Sequence, residues 1–331
     1  MNALKSELKG YRHVFVVCDR NVVSFSESLL GQKQSDAKGF PMLAIDTSEE
    51  LKTIDTVMQI CRWLLEQGAD RDALVLAIGG GLTTDMAGFA ACIYKRGVRY
   101  ANVPTTLLAM VDAAIGGKTG VNLDGYKNLL GVIRQPEFTA IFPEALRTLP
   151  EREMRSGLAE MLKSFIIKNP GHAYERTVAL FSSGKDLTEL IQTAASIKEE
   201  IVEKDEFEQG ARRKLNLGHT WAHAIEWWQK KVAVAAGKGS AGLLTHGEAV
   251  AIGMVQAARY AEKLGITEEP GLSERIRRDL KACGLPTELP CPEKELLPAI
   301  LKDKKAEEGQ IRLVLPVRIG KVVIKKLKFE I

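Results

Sequence analysis

The sequence predicts an α/β protein in two parts, a parallel sheet covered by helices followed by a mainly helical part. Two observations lead to this prediction. Before Pro143, short runs that are apolar throughout alternate with amphipathic runs of helical spacing, and after Pro143 the helical pattern continues to about Leu301. Strands that are apolar on both sides and separated by helices are typical of a parallel sheet with helices on both faces.

Each predicted strand of the first part is a short apolar run. The runs occupy residues 13–18, 41–45, 73–78, 100–103 and 139–142. Between the second and third runs, residues 49–67 repeat apolar side chains at helical spacing, which predicts a covering helix. Near the end of the chain, runs at 311–315 and 321–324 flank a Pro/Gly turn and predict a hairpin.

We expect a domain boundary at residue 150. Residues 1–150 then form the α/β domain and residues 151–331 the mainly helical domain, and each is long enough to have its own core.

Composition and charge exclude several classes of protein. Hydrophobic residues make up 45% of the chain and charged residues 27%, which is typical of a globular protein. The net charge is only +4 and the basic residues are dispersed, so we expect no nucleic-acid partner. No apolar run approaches the ~18 residues of a membrane helix, and no apolar signal segment opens the sequence. We therefore expect no membrane partner and a cytoplasmic location.

A glycine-rich turn follows the third predicted strand. Gly79, Gly80 and Gly81 stand at the carboxyl end of this strand, and Asp85 opens the helix that we expect next. Such glycines let backbone N–H groups approach a phosphate at a helix N-terminus, which predicts a Rossmann-like nucleotide-binding domain. The G-x-G-x-x-G fingerprint is absent, so a tight turn without a ligand is an equal alternative.

A second glycine segment imitates the end of a P-loop. Gly116, Gly117, Lys118 and Thr119 match its last residues, but Asp112 occupies the position of the required upstream glycine. This mismatch excludes an ATPase of the P-loop type.

Three of the five histidines cluster in the second part and suggest a metal site. His219 and His223 are spaced i, i+4, so both would point from one face of a helix, and His246 opens the segment H-G-E. Neutral imidazole is the commonest biological metal ligand, and a catalytic zinc usually takes three protein ligands. The alternative is three ordinary core histidines. The glutamate of H-E-x-x-H is missing between the first two, which excludes a metalloprotease of that type.

A series of ordered segments carries a family resemblance that no isolated motif could. The segments are G-G-G to Asp85 (79–85), Y-K-R-G (94–97), P-T-T-L-L-A-M-V-D (104–112), G-G-K-T-G-V-N (116–122), G-Y-K-N (125–128), T-L-P-E-R-E (148–153), G-L-A-E-M-L-K (157–163), D-E-F-E (205–208), L-N-L-G-H-T (215–220), H-G-E-A-V-A-I-G-M (246–254) and D-K-K (303–305). Together they resemble the 3-dehydroquinate synthase family of sugar phosphate cyclases over residues 13–320.

The resemblance implies an enzyme of the shikimate pathway, in aromatic amino acid biosynthesis. Such an enzyme converts 3-deoxy-D-arabino-heptulosonate 7-phosphate to 3-dehydroquinate and phosphate, and it uses NAD and a divalent zinc or cobalt ion. The reaction proceeds by transient oxidation by NAD, phosphate elimination, re-reduction and intramolecular aldol closure. The resemblance also implies a homodimer whose substrate is a small phosphorylated sugar acid.

The resemblance separates the three histidines. The family's metal ligands correspond to Glu160, His219 and His246. His223, although it is spaced i+4 from His219, then corresponds to a residue that faces the leaving phosphate.

The family's other substrate-binding and catalytic residues also have counterparts in this sequence. These are Arg96, Asp112, Lys118, Asn128, Lys163, Lys198, Arg212, Asn216, His223 and Lys304. Arg96 resembles an arginine donated across the dimer interface, and Lys305 could take the place of Lys304.

The nucleotide-binding residues come from two sources. The motif alignment points to Gly80, Gly81, Asp85, Thr105, Thr106, Lys127 and Thr148. The residue pattern adds Asp19, which follows the first predicted strand, and Glu49 and Lys52, which form an E-x-x-K pattern after the second. For Lys52 an ordinary surface charge is an equal alternative. A carboxylate after an early strand suits the ribose diol of NAD.

Two other enzymes are alternatives. One is another sugar phosphate cyclase, of the 2-deoxy-scyllo-inosose or valiolone synthase type. The other is a metal- and NAD-dependent polyol dehydrogenase of the glycerol dehydrogenase type, which would lack clamps for a phosphate and a carboxylate. Arg212 with Lys198 favours a carboxylate-bearing substrate, and Lys118 with Asn128 favours a phosphate.

The sequence departs from the family pattern near two motifs. Thr83 and Thr84 stand where a small residue and a glycine are usual before Asp85, and Ala222 replaces the customary glycine between His219 and His223. Neither departure removes a metal ligand.

Overall fold

The computed structural model describes residues 2–36, 39–124, 126–237, 242–302 and 310–327. The chain divides into two compact units, Met1–Leu149 and Pro150–Ile331. The predicted fold class is confirmed: the first unit is built on a parallel sheet, and the second is mainly helical.

The first unit contains a four-stranded parallel sheet with the strand order β2-β1-β3-β4. Its strands are β1 (Val14–Asp19), β2 (Met42–Ile45), β3 (Leu74–Gly79) and β4 (Arg99–Pro104). The first four predicted strands are therefore confirmed. The fifth, at residues 139–142, is wrong as a strand, because it forms only one isolated bridge, between Thr139 and Asn102.

Helices cover both faces of this sheet. They are α1 (Asn2–Leu8), α2 (Val23–Leu30), α3 (Ile54–Glu66) and α4 (Gly81–Ile93). Along β1, Val14 and Val16 pack into one apolar cluster with α1 and α2. The alternate residues Phe15 and Val17 pack into a second cluster with α3 and α4. Because successive side chains of a strand point to opposite faces, a strand buried on both sides has to be apolar throughout.

Two helices of the first unit begin at residues other than those expected. Helix α3 begins at Ile54, because the side chain of Thr53 accepts a hydrogen bond from the backbone N–H of Thr56 and caps the helix. The segment that holds Glu49 and Lys52 is therefore a loop and not a helical turn. Helix α4 begins at Gly81, four residues before Asp85.

An antiparallel hairpin follows a short π-helical turn at Ala109–Ala113. Its strands are β5 (Lys118–Leu123) and β6 (Tyr126–Ile133), and neither was predicted from the sequence. Lys118 and Thr119 therefore open a strand. In a P-loop the corresponding residues open a helix, so the structure gives a second reason to exclude that motif.

The second unit is built around one central helix. Its helices are α5 (Glu151–Ile167), α6 (Ala173–Ser182), α7 (Thr188–Lys204), α8 (His219–Ala235), α9 (His246–Lys263), α10 (Leu272–Ala282) and α11 (Glu293–Lys302). The predicted final hairpin is confirmed as β7 (Ile311–Arg318) and β8 (Lys321–Leu327). Helix α9 packs against α5, α8, α10 and β7.

Glycines bring three segments of the second unit into backbone contact. A Cβ built on Gly247 of α9 would overlap the backbone carbonyl of Ser156 in α5. A Cβ built on Gly253, also in α9, would overlap the carbonyl of Gly218, which precedes α8. Only residues without a side chain allow backbones to approach this closely. We call these two contacts the glycine crossings.

No helix in the described part of the chain is long and apolar enough to cross a membrane.

Candidate active site

A carboxylate and two imidazoles converge in the second unit. Glu160 lies inside α5, while His219 and His246 are the first residues of α8 and α9. One possible ligand atom from each lies within 4.8 Å of the others. Oε1 of Glu160 is 3.2 Å from Nε2 of His246 and 3.7 Å from Nε2 of His219, and the Glu160 side chain is fully buried. We call this group the His₂Glu cluster.

The glycine crossings explain why these three residues meet. His246 directly precedes Gly247, and His219 directly follows Gly218. Glu160 lies one helical turn beyond Ser156, the residue that Gly247 touches. Close backbone contact beside each ligand therefore sets the separations within the His₂Glu cluster.

Each histidine of the cluster has its other ring nitrogen held by an acceptor. Nδ1 of His219 lies 3.1 Å from the backbone carbonyl of Leu217, and Nδ1 of His246 lies 3.0 Å from Oε1 of Glu226. An Nδ1–H that donates to these oxygens leaves the lone pair on Nε2, which faces Glu160. Metal-binding histidines are held in this way in proteins. Two imidazoles and one carboxylate also suit a catalytic zinc with an open position, so the residues fit the ion.

Electrostatics separate the two histidines of the cluster. Burial and the neighbouring ammonium of Lys163 lower the pKa of His219 to about 3, so its imidazole is neutral. Burial also lowers the pKa of His246, but hydrogen bonds to Glu160 and Glu226 outweigh burial and raise it to about 10. A metal ion would therefore displace a proton from His246 when it binds.

The carboxylate of Glu160 is stabilised as the charged form. Burial alone would raise the pKa of Glu160, but the charge of Lys163 and the two histidines hold that pKa well below its usual range. Lys163 forms a buried ion pair with Glu160.

The described part of the second unit contains three buried cations. Lys163, Lys198 and Arg212 are 1%, 6% and 2% exposed. They lie on α5, α7 and the 3₁₀ segment Ala211–Asn216, which pack against one another. Contacts within the protein compensate part of the cost of burying these charges, since Lys163 pairs with Glu160 and Nη1 of Arg212 donates to the backbone carbonyl of Glu206.

Two further predicted residues of the second unit, His223 and Asn216, are within the described residues. The ring of His223 is 5.4 Å from the ring of His219 and 6.5 Å from that of His246, so all three histidines are together. His223 is exposed and is not part of the His₂Glu cluster. Nδ2 of Asn216 donates to Oε1 of Glu208 at 2.5 Å. Lys304 lies outside the described residues.

In the first unit, the carboxyl ends of β1 and β3 lie at the edge of the sheet where a nucleotide is expected to bind. The chain goes from β1 to β2 on one side of β1 and then crosses to β3 on the other side. The strand order therefore reverses between β1 and β3. Ligands of open parallel sheets bind outside the carboxyl ends of the strands at such a point. Asp19 ends β1 and Gly79 ends β3, while the backbone N–H of Thr105, just after β4, donates to the carbonyl of Gly79 at 2.9 Å.

The glycine turn at this edge leaves little room for a side chain. A Cβ on Gly80 would lie 3.0 Å from Cγ2 of Thr106, and a Cβ on Gly81 would lie 2.9 Å from Cβ of Ala113. Gly80 is also the N-cap of α4, with no side chain to cover the helix N-terminus. This arrangement fits the pyrophosphate of a dinucleotide.

The neighbouring side chains at the edge are held in place. Thr83, one of the departures from the family pattern, is fully buried directly against Gly79, so the turn accommodates it. Oδ1 of Asp19 accepts a hydrogen bond from the backbone N–H of Asn21 at 2.8 Å, and the Thr47 hydroxyl donates to Oδ2.

A polar network in the first unit links predicted nucleotide-binding residues to a predicted substrate-binding residue. Nζ of Lys52 lies 2.5 Å from Oδ2 of Asp85 and 2.5 Å from Oδ1 of Asn128. Nζ of Lys127 lies 3.6 Å from Oε1 of Glu49. Four residues expected to bind the nucleotide are thus close to Asn128, which was expected to bind the substrate.

The remaining predicted residues of the first unit are more dispersed. Asp112 lies in the π-helical turn, Lys118 is exposed at the start of β5, and Thr148 is exposed at the end of a 3₁₀ segment. Arg96 is exposed, and its φ of 69° lies in the left-handed region.

Two residues of these groups were missed by sequence reasoning. Glu226 lies two helical turns after His219, and this spacing could have placed it on the ligand face of α8. Asn122 ends the motif G-G-K-T-G-V-N, but only its contacts reveal a role.

Comparison with solved structures gives the class of protein. The chain shares the fold of 2-epi-5-epi-valiolone synthase from Streptomyces hygroscopicus, solved with NAD+ and Zn2+ bound. The TM-score is 0.81, with 30% identity, and the match covers 96% of this chain and 88% of that one. A 2-deoxy-scyllo-inosose synthase, solved with carbaglucose-6-phosphate, NAD+ and Co2+, matches with a TM-score of 0.81 and 26% identity over 96% and 88% of the two chains. The fold and the site define a sugar phosphate cyclase.

Sequence comparison then identifies the family. Family models described as the N-terminal and C-terminal parts of 3-dehydroquinate synthase match residues 42–156 and 157–306. The 3-dehydroquinate synthase of Acidithiobacillus ferrooxidans is 43% identical over 318 residues, which cover 94% of this chain and 84% of that protein. The chain belongs to the 3-dehydroquinate synthase family, so the resemblance found in the motifs is confirmed.

Proposed function

We propose that the enzyme converts 3-deoxy-D-arabino-heptulosonate 7-phosphate to 3-dehydroquinate and phosphate, with NAD and a zinc or cobalt ion as cofactors. The observation that supports this most is that the His₂Glu cluster shares its unit with the buried cations Lys163, Lys198 and Arg212. A simple polyol is uncharged and would need no such cations. A phosphorylated sugar acid needs them, because its charges must be held away from bulk water.

In this proposal Glu160, His219 and His246 hold the metal ion, and residues 1–150 hold NAD. When bound, the ion and NAD supply Lewis-acid and hydride-transfer chemistry. The carbonyl of Leu217 and the carboxylate of Glu226 keep the Nε2 lone pairs of the histidines directed at the ion.

The remaining residues bind and neutralise the anionic substrate. Lys198 and Arg212 hold the carboxylate, because both are buried cations on elements that pack together. Lys118 and Asn128 bind the phosphate. His223, beside the cluster, donates a proton to the leaving phosphate.

The location and assembly follow from the family resemblance. We propose a cytoplasmic homodimer in which residues 151–331 bind metal and substrate and Arg96 is donated to the partner's site.

Incubation with the heptulosonate phosphate, NAD+ and zinc tests the function. We expect inorganic phosphate to appear in equal amount with a carbocyclic product, while no reduced cofactor accumulates, because the hydride returns within the same turnover. Phosphate would be measured chemically and reduced NAD by its absorbance. Accumulation of NADH equal to the substrate consumed would establish a dehydrogenase instead. Faster turnover of a sugar phosphate without a carboxylate would favour another cyclase.

Glu226→Ala should weaken zinc binding by about 10–100-fold, because His246 would lose the acceptor that orients its ring. Glu226→Gln should lose less, since an amide oxygen can still accept the hydrogen bond. Competition with a chromophoric chelator would measure these affinities.

Glu293→Ala is the matched control for Glu226→Ala. Glu293 also accepts a hydrogen bond from a side chain of α8, the Nε1–H of Trp221, but it is remote from the metal ligands in sequence. We expect this variant to bind zinc like the wild type. Unchanged zinc affinity in Glu226→Ala would show that Glu226 only stabilises the packing of α8 and α9.

A further inference from the structure

Asn122 is the centre of the polar network in the first unit. Its Nδ2 donates to Oε1 of Glu49 at 2.9 Å and to the backbone carbonyl of Glu49 at 3.2 Å. Its backbone N–H donates to the carbonyl of Lys52 at 2.9 Å. Its Oδ1 accepts from the backbone N–H of Asn128 at 2.9 Å. Asn122, in β5, therefore contacts the Glu49–Lys52 loop with one end of its side-chain amide and β6 with the other.

Lys52 determines which end of the Asn128 amide faces outward. Lys52 is 5% exposed, and its ammonium lies between Asp85 and the Asn128 side chain. An ammonium group only donates hydrogen bonds, so the amide atom that faces it has to be the oxygen. The NH₂ group of Asn128 is therefore directed away from Lys52. Two N–H donors on an exposed side chain suit an anionic oxygen, as in a phosphate.

The backbone of Asn128 is also held in an unusual conformation. Its φ is 52°, in the left-handed region that asparagine enters more readily than most residues. The hydrogen bond from its N–H to Oδ1 of Asn122 fixes this conformation at the position where the side chain leaves β6. Both the backbone and the amide of Asn128 thus depend on groups that also hold the Glu49–Lys52 loop.

We propose that Asn122 is a positioning residue that holds the nucleotide-binding loop and the phosphate-binding residue Asn128 in one arrangement, and that Lys52 orients the Asn128 amide so that it donates to the phosphate of the substrate. This inference rests on the proposed function, because NAD and a sugar phosphate are taken as the two ligands. Lys52, expected only on the nucleotide side, then serves both ligands.

Asn122→Ala tests the positioning role through two separate binding measurements. Calorimetry with NAD+ and with inorganic phosphate should show both affinities weakened by about 10–100-fold, because each side loses a hydrogen bond that involves or orients a charged group. Glu49→Gln should weaken mainly NAD+, and Asn128→Ala mainly phosphate. A residue that only stabilised the hairpin would lower the melting temperature and leave both affinities unchanged.

Asn169→Ala is a matched control. Asn169 has the same pattern of contacts: its Nδ2 donates to Glu175 at 3.0 Å, and its Oδ1 accepts from the backbone N–H of Tyr174 at 2.8 Å. It lies in the second unit, away from the residues proposed for either ligand. We expect a similar change in melting temperature with both affinities within twofold of the wild type. If Asn122→Ala behaves like this control, or weakens only one ligand, the proposed link is wrong.

Asn128→Asp tests the orientation of the amide. Aspartate keeps an oxygen for Lys52 but replaces the two outward donors by a charged oxygen, so phosphate should bind more weakly to Asn128→Asp than to Asn128→Ala. Wild-type phosphate affinity in Asn128→Asp would overturn the orientation, and a wild-type protein that binds no phosphate would overturn the role of Asn128. None of these measurements involves turnover of the heptulosonate, so a failure of the proposed reaction would be seen separately.

Discussion

Zinc bound to a His219→Ala variant is expected to fall far below one ion per subunit, while a His223→Ala variant keeps its zinc. The first change leaves only Glu160 and His246 as ligands, too few for a three-ligand catalytic site. The second keeps all three ligands and should lose at most about 10–100-fold in affinity. Metal analysis of both purified variants at the same free zinc concentration would measure the difference.

The activity of the His223→Ala variant gives a second measurement. A positioned imidazole that protonates the leaving group contributes typically about 10²–10⁴-fold, so phosphate release should slow by that factor with zinc still bound. If His223→Ala loses zinc and His219→Ala retains it, the proposed ligand set is wrong, and the i, i+4 pair of α8 has to be considered again.

Mixtures of inactive Arg96→Ala and inactive Glu160→Ala subunits are expected to recover activity. If Arg96 acts in the partner's site, a mixed dimer contains one intact site and one doubly damaged site. Random mixing would then restore about a quarter of the sites. Each variant alone should lose at least about 10²–10³-fold, since one loses a cation beside the substrate and the other loses a metal ligand. Phosphate release would be followed before and after subunit exchange.

The control for this experiment mixes Glu160→Ala with His219→Ala. Both changes damage the metal ligands of the same unit, so no pairing of subunits produces an intact site. This mixture should stay inactive. Mixed Arg96→Ala and Glu160→Ala dimers, verified by differently tagged subunits, that also stay inactive would exclude action in the partner's site.

Four of the five strands predicted for the first unit form its parallel sheet, because they were recognised as short runs that are apolar throughout. The same reasoning failed at residues 139–142. There Ala140 and Phe142 pack against the apolar cluster beneath α1 and α2, but the segment pairs with β4 only through the bridge between Thr139 and Asn102, so its apolar character did not signal a continuous strand. The β5–β6 hairpin was not predicted because its strands lack the apolar pattern that was used to recognise strands. Its residues include Lys118 and Asn122, and they show no apolar alternation.

Residues of the candidate site could be predicted from the sequence only where the family resemblance or a local residue pattern indicated them. The family motifs indicated Glu160, His219 and His246, although the i, i+4 spacing alone pointed to His223. Glu226 acts through His246, which is 20 residues away. Asn122 acts through Glu49, which is 73 residues away. Roles of that kind depend on the fold that brings the partners together, so motif spacing could not reveal them.

The glycine crossings have a consequence for the selection of the metal ion. Near His219 and His246 the helices touch through backbone atoms, so no side chain lies between the backbones at these two contacts. Closely packed backbone of this kind resists expansion. Two imidazoles and one carboxylate on such a frame favour ions that accept nitrogen ligands, such as Zn²⁺ and Co²⁺, over Ca²⁺, which takes 6–8 oxygen ligands. The spacing of the helices would then hold in place the ligand set whose chemistry selects the ion.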